Sequence, residues 1–249
     1  MVMQDTAPIL RKSMRDDAFS YLHERIIAGH YSPGEWLRQD DISTQLGISM
    51  TPVREALDLL VSAGFAERIP FRGVRILQPS LEEIVDSYAT RLLLESSAIY
   101  IAAFTISPAQ ISTLENILHQ NKSLVQNNDI THERVLSREL HEAMVSASGN
   151  AVLQKMYLNV LNTFPDWMLY KYFFHNPELL NKNINKEYQE HFDIVNALAE
   201  HDPKLAVCRT IQHITSRGRE LEEFIGIPRD LVRSKEACIL RLLTPYMNS

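Results

Sequence analysis

The chain is poor in cysteine and glycine, has no long apolar run and carries no excess of positive charge. Two cysteines among 249 residues, Cys208 and Cys238, are too few for a disulfide framework and show no CxxC spacing, so both are read as ordinary reduced thiols. Eight glycines exclude a collagen-like repeat, and a hydrophobic content of 45% excludes a disordered chain. No apolar stretch approaches the roughly 18 residues needed to cross a bilayer, and Met1 to Lys12 holds nothing like a signal peptide. The expectation is a soluble, cytoplasmic protein with no membrane partner. A length of 249 residues suits one large or two modest domains. The net charge of -6 and pI near 5.9 argue, taken over the whole chain, against a nucleic-acid partner, because DNA affinity rests on neutralising phosphates.

What is present is a change of pattern near residue 79. Residues 14–29 carry Ala18, Tyr21, Leu22, Arg25, Ile26 and Ile27 at helical spacing, stopped by Gly29. Tyr31-Ser-Pro-Gly34 predicts a turn, Asp40 to Leu46 a short helix with Ile42 and Leu46 inward, and Gly47 its left-handed C-cap. A third helix begins at Ser49 or Thr51, takes Pro52 in its first turn, buries Val53, Ala56, Leu57, Leu60 and Val61, and closes at Gly64. Phe65 to Ile76 reads as two short strands around a Pro/Gly tip. Three helices followed by a hairpin outline a winged helix-turn-helix over residues 13–78, behind a flexible arm at 1–12. From Ser80 the strand signals vanish. Helices are expected from Ser80 to Phe104, Ser107 to about Asn127, Thr131 to near Gly149, and over 151–163, 166–174, 177–200, 202–225 and 229–244. The fold class is therefore mainly α: a winged helix-turn-helix plus an all-α bundle at 80–249.

Charge divides along the same boundary. Residues 1–79 hold nine Lys/Arg against ten Asp/Glu, so of the totals of 25 and 31 the second half keeps sixteen against twenty-one. The bulk acidity belongs to the helical domain, while Arg68 to Arg75 has three arginines and no acid. A local positive edge suffices for phosphate contact when two copies act together.

The runs Leu22-His-Glu-Arg-Ile-Ile-Ala-Gly29, Tyr31-Ser-Pro-Gly-Glu-Trp-Leu-Arg38, Leu46-Gly-Ile-Ser-Met-Thr-Pro-Val-Arg-Glu-Ala-Leu57 and Gly64-Phe-Ala-Glu-Arg68 with Arg72-Gly73 resemble the GntR family of bacterial transcription regulators. The second half, with Arg91-Leu-Leu-Leu-Glu95, Leu140-His141 leading to Ala147-Ser-Gly-Asn150, and Glu190-His191, resembles the ligand-binding FCD domain of its FadR subfamily. The resemblance implies a homodimer on a double-stranded DNA operator, acting as a repressor modulated by a small organic acid. The third helix would enter the major groove, with Ser49, Met50, Thr51 and Arg54 at base edges. Arg54 can grip a guanine edge or a phosphate, or else form an i,i+4 ion pair with Asp58. Arg38 matches a phosphate-contacting position, and Arg72 with Gly73 suit the wing tip. Met50 stands where family members commonly carry arginine. It can lie against a thymine methyl, so the operator should differ from the commonest family sites.

Many members of this subfamily hold a divalent metal between an Asp four residues before a His on one helix and two further His on later helices. His141, His191 and His213 match the histidines and would suit Zn or Ni, but the Asp position is Ser137, a poor ligand without charge. The same three histidines, with Arg91, would alternatively hold the effector directly, and Arg91 also has an intrahelical partner in Glu95. The aromatic stretch Phe164 to Phe174 reads as core, dimer packing or a cavity roof. Two other functions compete with the regulator. A metal-dependent hydrolase using the His cluster would need a general base, yet neither HExxH nor GxSxG occurs. The other is a DNA-binding protein without effector control.

Overall fold

The structure, a computed structural model, describes residues 13–27, 30–126, 130–163, 172 and 176–248. The arm at 1–12, the stop at Gly29 and, apart from Tyr172, the aromatic stretch and the helix expected at 166–174 lie outside the described residues. The chain divides into two compact units, Met1–Gln78 and Pro79–Ser249.

The first unit runs α1 (Met14–Ile27), β1 (Trp36–Leu37), α2 (Gln39–Leu46), α3 (Met50–Ser62), β2 (Ala66–Ile69) and β3 (Gly73–Ile76). Ala18, Leu22 and Ile26 recur every fourth residue, which puts them on one face of α1; they are buried with Val53, Ala56, Leu57 and Leu60 of the α3 it packs against. Gly47, at φ 65, ends α2 with its N–H bonded to the Ser43 carbonyl, so only Gly47, Ile48 and Ser49 separate the two helices of the helix-turn-helix. The sheet has the order β1-β3-β2, all antiparallel, with Ile69 opposite Gly73 at the hairpin end and Leu37 opposite Val74. β1 has no counterpart in the sequence pattern because two residues are too few to show alternation. It is held by pairing with a strand far along the chain, Ile76 N–H donating to the Glu35 carbonyl at 2.8 Å.

The second unit is helical: α4 (Leu81–Thr105), α5 (Pro108–Gln126), α6 (Ile130–Ser146), α7 (Ala151–Thr163), α8 (Pro177–Ala199), α9 (Pro203–Glu220), a π-helical turn at Leu221–Ile225, and α10 (Arg229–Asn248). Ser80 opens α4 through a complete capping box with Glu83, and the Asp202 carboxylate caps α9 by accepting from the N–H groups of Lys204 and Leu205. The span expected as one helix over 202–225 is α9 widened into the π turn and closed by Gly226 at φ 77. Along α4, Tyr88 and Leu92 belong to an apolar cluster with α8, α9 and α10, and Ile99 and Ala102 to another with α5, α6, α8 and α9. Arg91 and Glu95 fall between the two, and both are buried. Among the described residues no helix is long and apolar enough to cross a membrane.

Gly218 marks the close approach of α9 to α4: a Cβ there would lie 2.5 Å from the Tyr88 hydroxyl oxygen and 2.7 Å from its ring. Tyr88 is fixed by its bond to Glu236 at 2.7 Å and cannot retreat cheaply. Gly218→Ala is therefore expected to destabilise the helical unit by about 1–3 kcal/mol. Thermal unfolding should register a fall of several degrees, at roughly 2–4 °C per kcal/mol for a unit of this size; an unchanged midpoint would contradict this packing.

Candidate functional site

Two constellations stand out. In the first unit, Ser49 occupies the N-cap of α3 in extended conformation without a side-chain cap bond, and Ser49, Met50, Thr51 and Arg54 are all exposed on the first turns of α3. Asp58, which offered Arg54 an i,i+4 partner, is engaged instead by Arg68 of β2. Arg54 makes no ion pair with a described residue. Arg38, exposed, is the N-cap of α2. Arg72 and Gly73 are exposed where β2 turns into β3. The three-arginine edge is weaker than its sequence implies: Arg68 is paired with Asp58, and Arg75 with Glu67 at 2.7 Å, leaving Arg72 as the arginine of this hairpin without an ion pair to a described residue.

The second constellation lies inside the helical unit. His141 on α6, His191 on α8 and His213 on α9 are buried, and one ring nitrogen from each lies within 4.8 Å of the others. His141 Nε2 and His191 Nε2 are 3.0 Å apart. His141 Nδ1 lies 2.5 Å from Glu95 Oε1, and His213 Nδ1 lies 2.9 Å from Glu190 Oε2. Each carboxylate oxygen accepts, which places the proton of both rings on Nδ1 and leaves the Nε2 lone pair available. His213 Nε2 is buried without a hydrogen-bond partner among the described residues.

Charge around the rings is balanced by burial and pairing. Burial, then the neighbouring His213 and His141 rings, holds His191 well below the ordinary imidazole value; burial, then His141 and Arg217, does the same for His213. Both are neutral near pH 7, which is the ligating form. Burial alone would raise Glu95, but His141 and Arg91 outweigh it and keep the carboxyl well below the usual carboxylate range. Glu95 also accepts from Tyr157 at 3.0 Å and from Arg91 Nε at 2.9 Å. Arg91 thus makes the intrahelical pair that its spacing offers, while its Nη2 lies 3.3 Å from His141 Nε2 and faces the cluster.

Ser137 is buried one turn before His141, and its hydroxyl donates to Glu187 Oε1 at 3.0 Å. Glu187 is the residue that the sequence reading missed. It stands one turn before His191, with Oε1 3.9 Å from His191 Nε2, and it accepts from Arg134 through both oxygens at 3.1 and 2.9 Å. Arg217 approaches it at 3.4 Å. Burial would raise Glu187, but Arg134 and Arg217 outweigh it and keep it ionised. The signal for it was Glu187-xxx-His191, the spacing of the missing Asp-xxx-His transferred to a later helix. Glu142, on another face of α6, is paired with Arg138.

By donor type the cluster fits a divalent cation: three buried imidazoles, two of them oriented by a carboxylate at Nδ1 and one with its Nε2 unpartnered among the described residues, beside an ionised carboxylate. Elsewhere the second unit offers an open, mostly apolar cavity of about 290 Å³ lined by Ser96, Ser97, Tyr100, Ile101, Val207 and Leu243.

A winged helix-turn-helix with an exposed recognition-helix start, joined in one chain to a helical unit with a buried polar centre, defines a DNA-binding transcription regulator with a ligand domain. Family comparison agrees, with the model for bacterial regulatory proteins of the gntR family matching residues 14–76 and that for the FCD domain matching residues 86–216. The chain belongs to the GntR family of transcription regulators, in its FCD-containing, FadR-like subfamily. The transcriptional repressor NanR of Edwardsiella tarda (strain FL6-60) is 25% identical over 232 residues, covering 84% of this chain and 85% of its own length. The HTH-type transcriptional regulator YdhC of Bacillus subtilis (strain 168) is 22% identical over 210 residues, covering 81% and 92%. Among solved structures, E. coli McbR/YncC shares the fold at a TM-score of 0.67 with 20% identity, covering 86% of this chain and 99% of that one. These matches point to a regulator rather than an enzyme and lend no support to the hydrolase alternative.

Proposed function

We propose that this regulator is a homodimeric repressor whose helical unit holds a divalent cation on His141, His191 and His213 and receives a small carboxylate effector at that centre. The observation that carries the reading is the convergence of three buried imidazoles, with His213 Nε2 left without a partner among the described residues. An ion such as Zn or Ni would supply open Lewis-acid positions for an effector oxygen. Arg91, whose Nη2 already faces His141, would orient the effector's carboxylate. Ser137 adds no charge, and Glu187 takes over the task of offsetting the cation. Repression is supported by the similarity to NanR, a transcriptional repressor. On the DNA side, two winged helices would place Ser49, Met50, Thr51 and Arg54 in successive major grooves, with Arg38 and Arg72-Gly73 on the backbone and the adjacent minor groove.

A thermal-shift series on EDTA-treated protein tests the reading. Zn or Ni alone should raise the melting temperature, since a ligand of the native state stabilises by RT ln(1 + [L]/Kd), about 2.7 kcal/mol at one hundred times Kd. A panel of organic acids should raise it further only when metal is present. If an acid were to stabilise the EDTA-treated protein equally, the polar pocket would be holding it directly and the metal-mediated reading would fail.

A further inference from the structure

The wing tip carries a feature that neither the fold nor the charge pattern uses. Arg72 N–H donates to the Ile69 carbonyl at 3.1 Å, closing a β-turn with Pro70 second and Phe71 third. Phe71 has a φ of 63, and the third position of such a turn favours glycine or asparagine because a Cβ is crowded there. Among the described residues one other non-glycine has positive φ, His201, and its ring is anchored by a bond to the Ala103 carbonyl at 2.9 Å. Phe71 has no such anchor. Its side chain is fully exposed, more so than any other large hydrophobic among the described residues. A bulky aromatic in a strained position with nothing to pack against is disfavoured on both backbone and burial grounds within this unit. Nothing among the described residues accounts for it, which points to an external partner.

The surroundings indicate what it meets. Arg68 and Arg75 are consumed by Asp58 and Glu67, so the tip presents one guanidinium, Arg72, beside one bare benzyl ring. Gly73, at φ 111, has open space where a Cβ would stand, so backbone and ring can both approach a narrow surface. Such a tip is weak as an electrostatic contact and well shaped as an apolar wedge with a single phosphate tether.

We propose that Phe71 enters the minor groove and wedges between two base pairs beside each half-site, unstacking the step and bending the duplex. The cost of unstacking depends on the step, so the wing selects flexible pyrimidine–purine steps, TA or CA/TG, at a position where no hydrogen bond reads a base. The wedge contributes discrimination by deformability, and α3 contributes discrimination by base edges. This inference rests on the assignment of the first unit as the DNA reader.

The test uses the full-length protein and a duplex that it selects from a random pool, with 2-aminopurine substituted at successive positions. Wild type should raise the 2-aminopurine fluorescence severalfold at one step per half-site and bend the duplex in a circular-permutation assay. Phe71→Ala should abolish both signals, lower affinity about fivefold to tenfold, and level the preference for pyrimidine–purine steps, while leaving the salt dependence unchanged because no charge is removed. Phe71→Trp should keep both signals. Phe71→Gly should lose them while melting no lower than wild type, since glycine suits the turn; this separates loss of the wedge from loss of the fold. Binding by wild type without unstacking, or unstacking that persists in Phe71→Ala, would overturn the wedge and leave the recognition helix standing. Failure to select any duplex would overturn both.

Discussion

Arg54→Ala is expected to cost about tenfold to a hundredfold in operator affinity per half-site, from the 1–3 kcal/mol that a bidentate guanidinium contact supplies. The residue is exposed on the first turns of α3, and its i,i+4 acid, Asp58, is committed to Arg68 on β2. The guanidinium would thus reach DNA without first breaking an ion pair to a described residue, and its removal would leave no described acid newly unpaired. Fluorescence anisotropy across a salt series decides its target. A base-edge contact lowers affinity and relaxes selectivity at one position with the salt slope little changed, whereas a phosphate contact lowers the slope by about one. Wild-type affinity in the variant at moderate salt would remove Arg54 from the interface.

His191→Ala is expected to eliminate stoichiometric metal, lowering affinity by at least about 100-fold, since even partners outside the ligand set cost 10- to 100-fold. Elemental analysis and loss of the EDTA-sensitive melting shift would report it; an unchanged metal content would place any ion elsewhere. The same histidines predict a pH dependence in metal-free protein. His191 and His213 sit well below their unfolded value of about 6.5, so below that pH the unfolded chain binds more protons than the folded one. Stability is full above pH 6.5 and falls as the pH drops below it, by up to about 1.4 kcal/mol per pH unit for each ring. Glu190 and Glu220, raised by burial, act in the opposite sense closer to their ordinary carboxylate value. Melting temperatures should therefore drop between pH 7 and 5.5, less steeply in a His191→Ala/His213→Ala double variant.

How far the sequence carries the reading depends on the range of the interaction. Gly47, the Ser80–Glu83 box and Asp202-Pro203 act within one turn of chain, and the helices they bound are visible from the residues alone. Pairings across distance are not. β1 exists because β3 lies beside it, and the positive edge of the hairpin is offset because Arg68 finds an acid on α3. At the histidine centre the three histidines were visible from their order, but the contact of Ser137 with Glu187 was not, since 50 residues separate them. Phe71 was hidden for a different reason: its residue type is unremarkable until the turn gives it a positive φ.

α4 links the ligand centre to the unit boundary. It begins at Leu81, two residues beyond Pro79, runs 25 residues without glycine or proline, and carries Arg91 and Glu95 at mid-length. A helix of that length spans about 37 Å and has no proline or glycine to break it. Arg91 and Glu95 therefore sit on the same continuous helix whose first turn adjoins the boundary at Gln78 and Pro79. A ligand held at that centre would then have a single covalent lever, α4, leading from it to the DNA-reading unit.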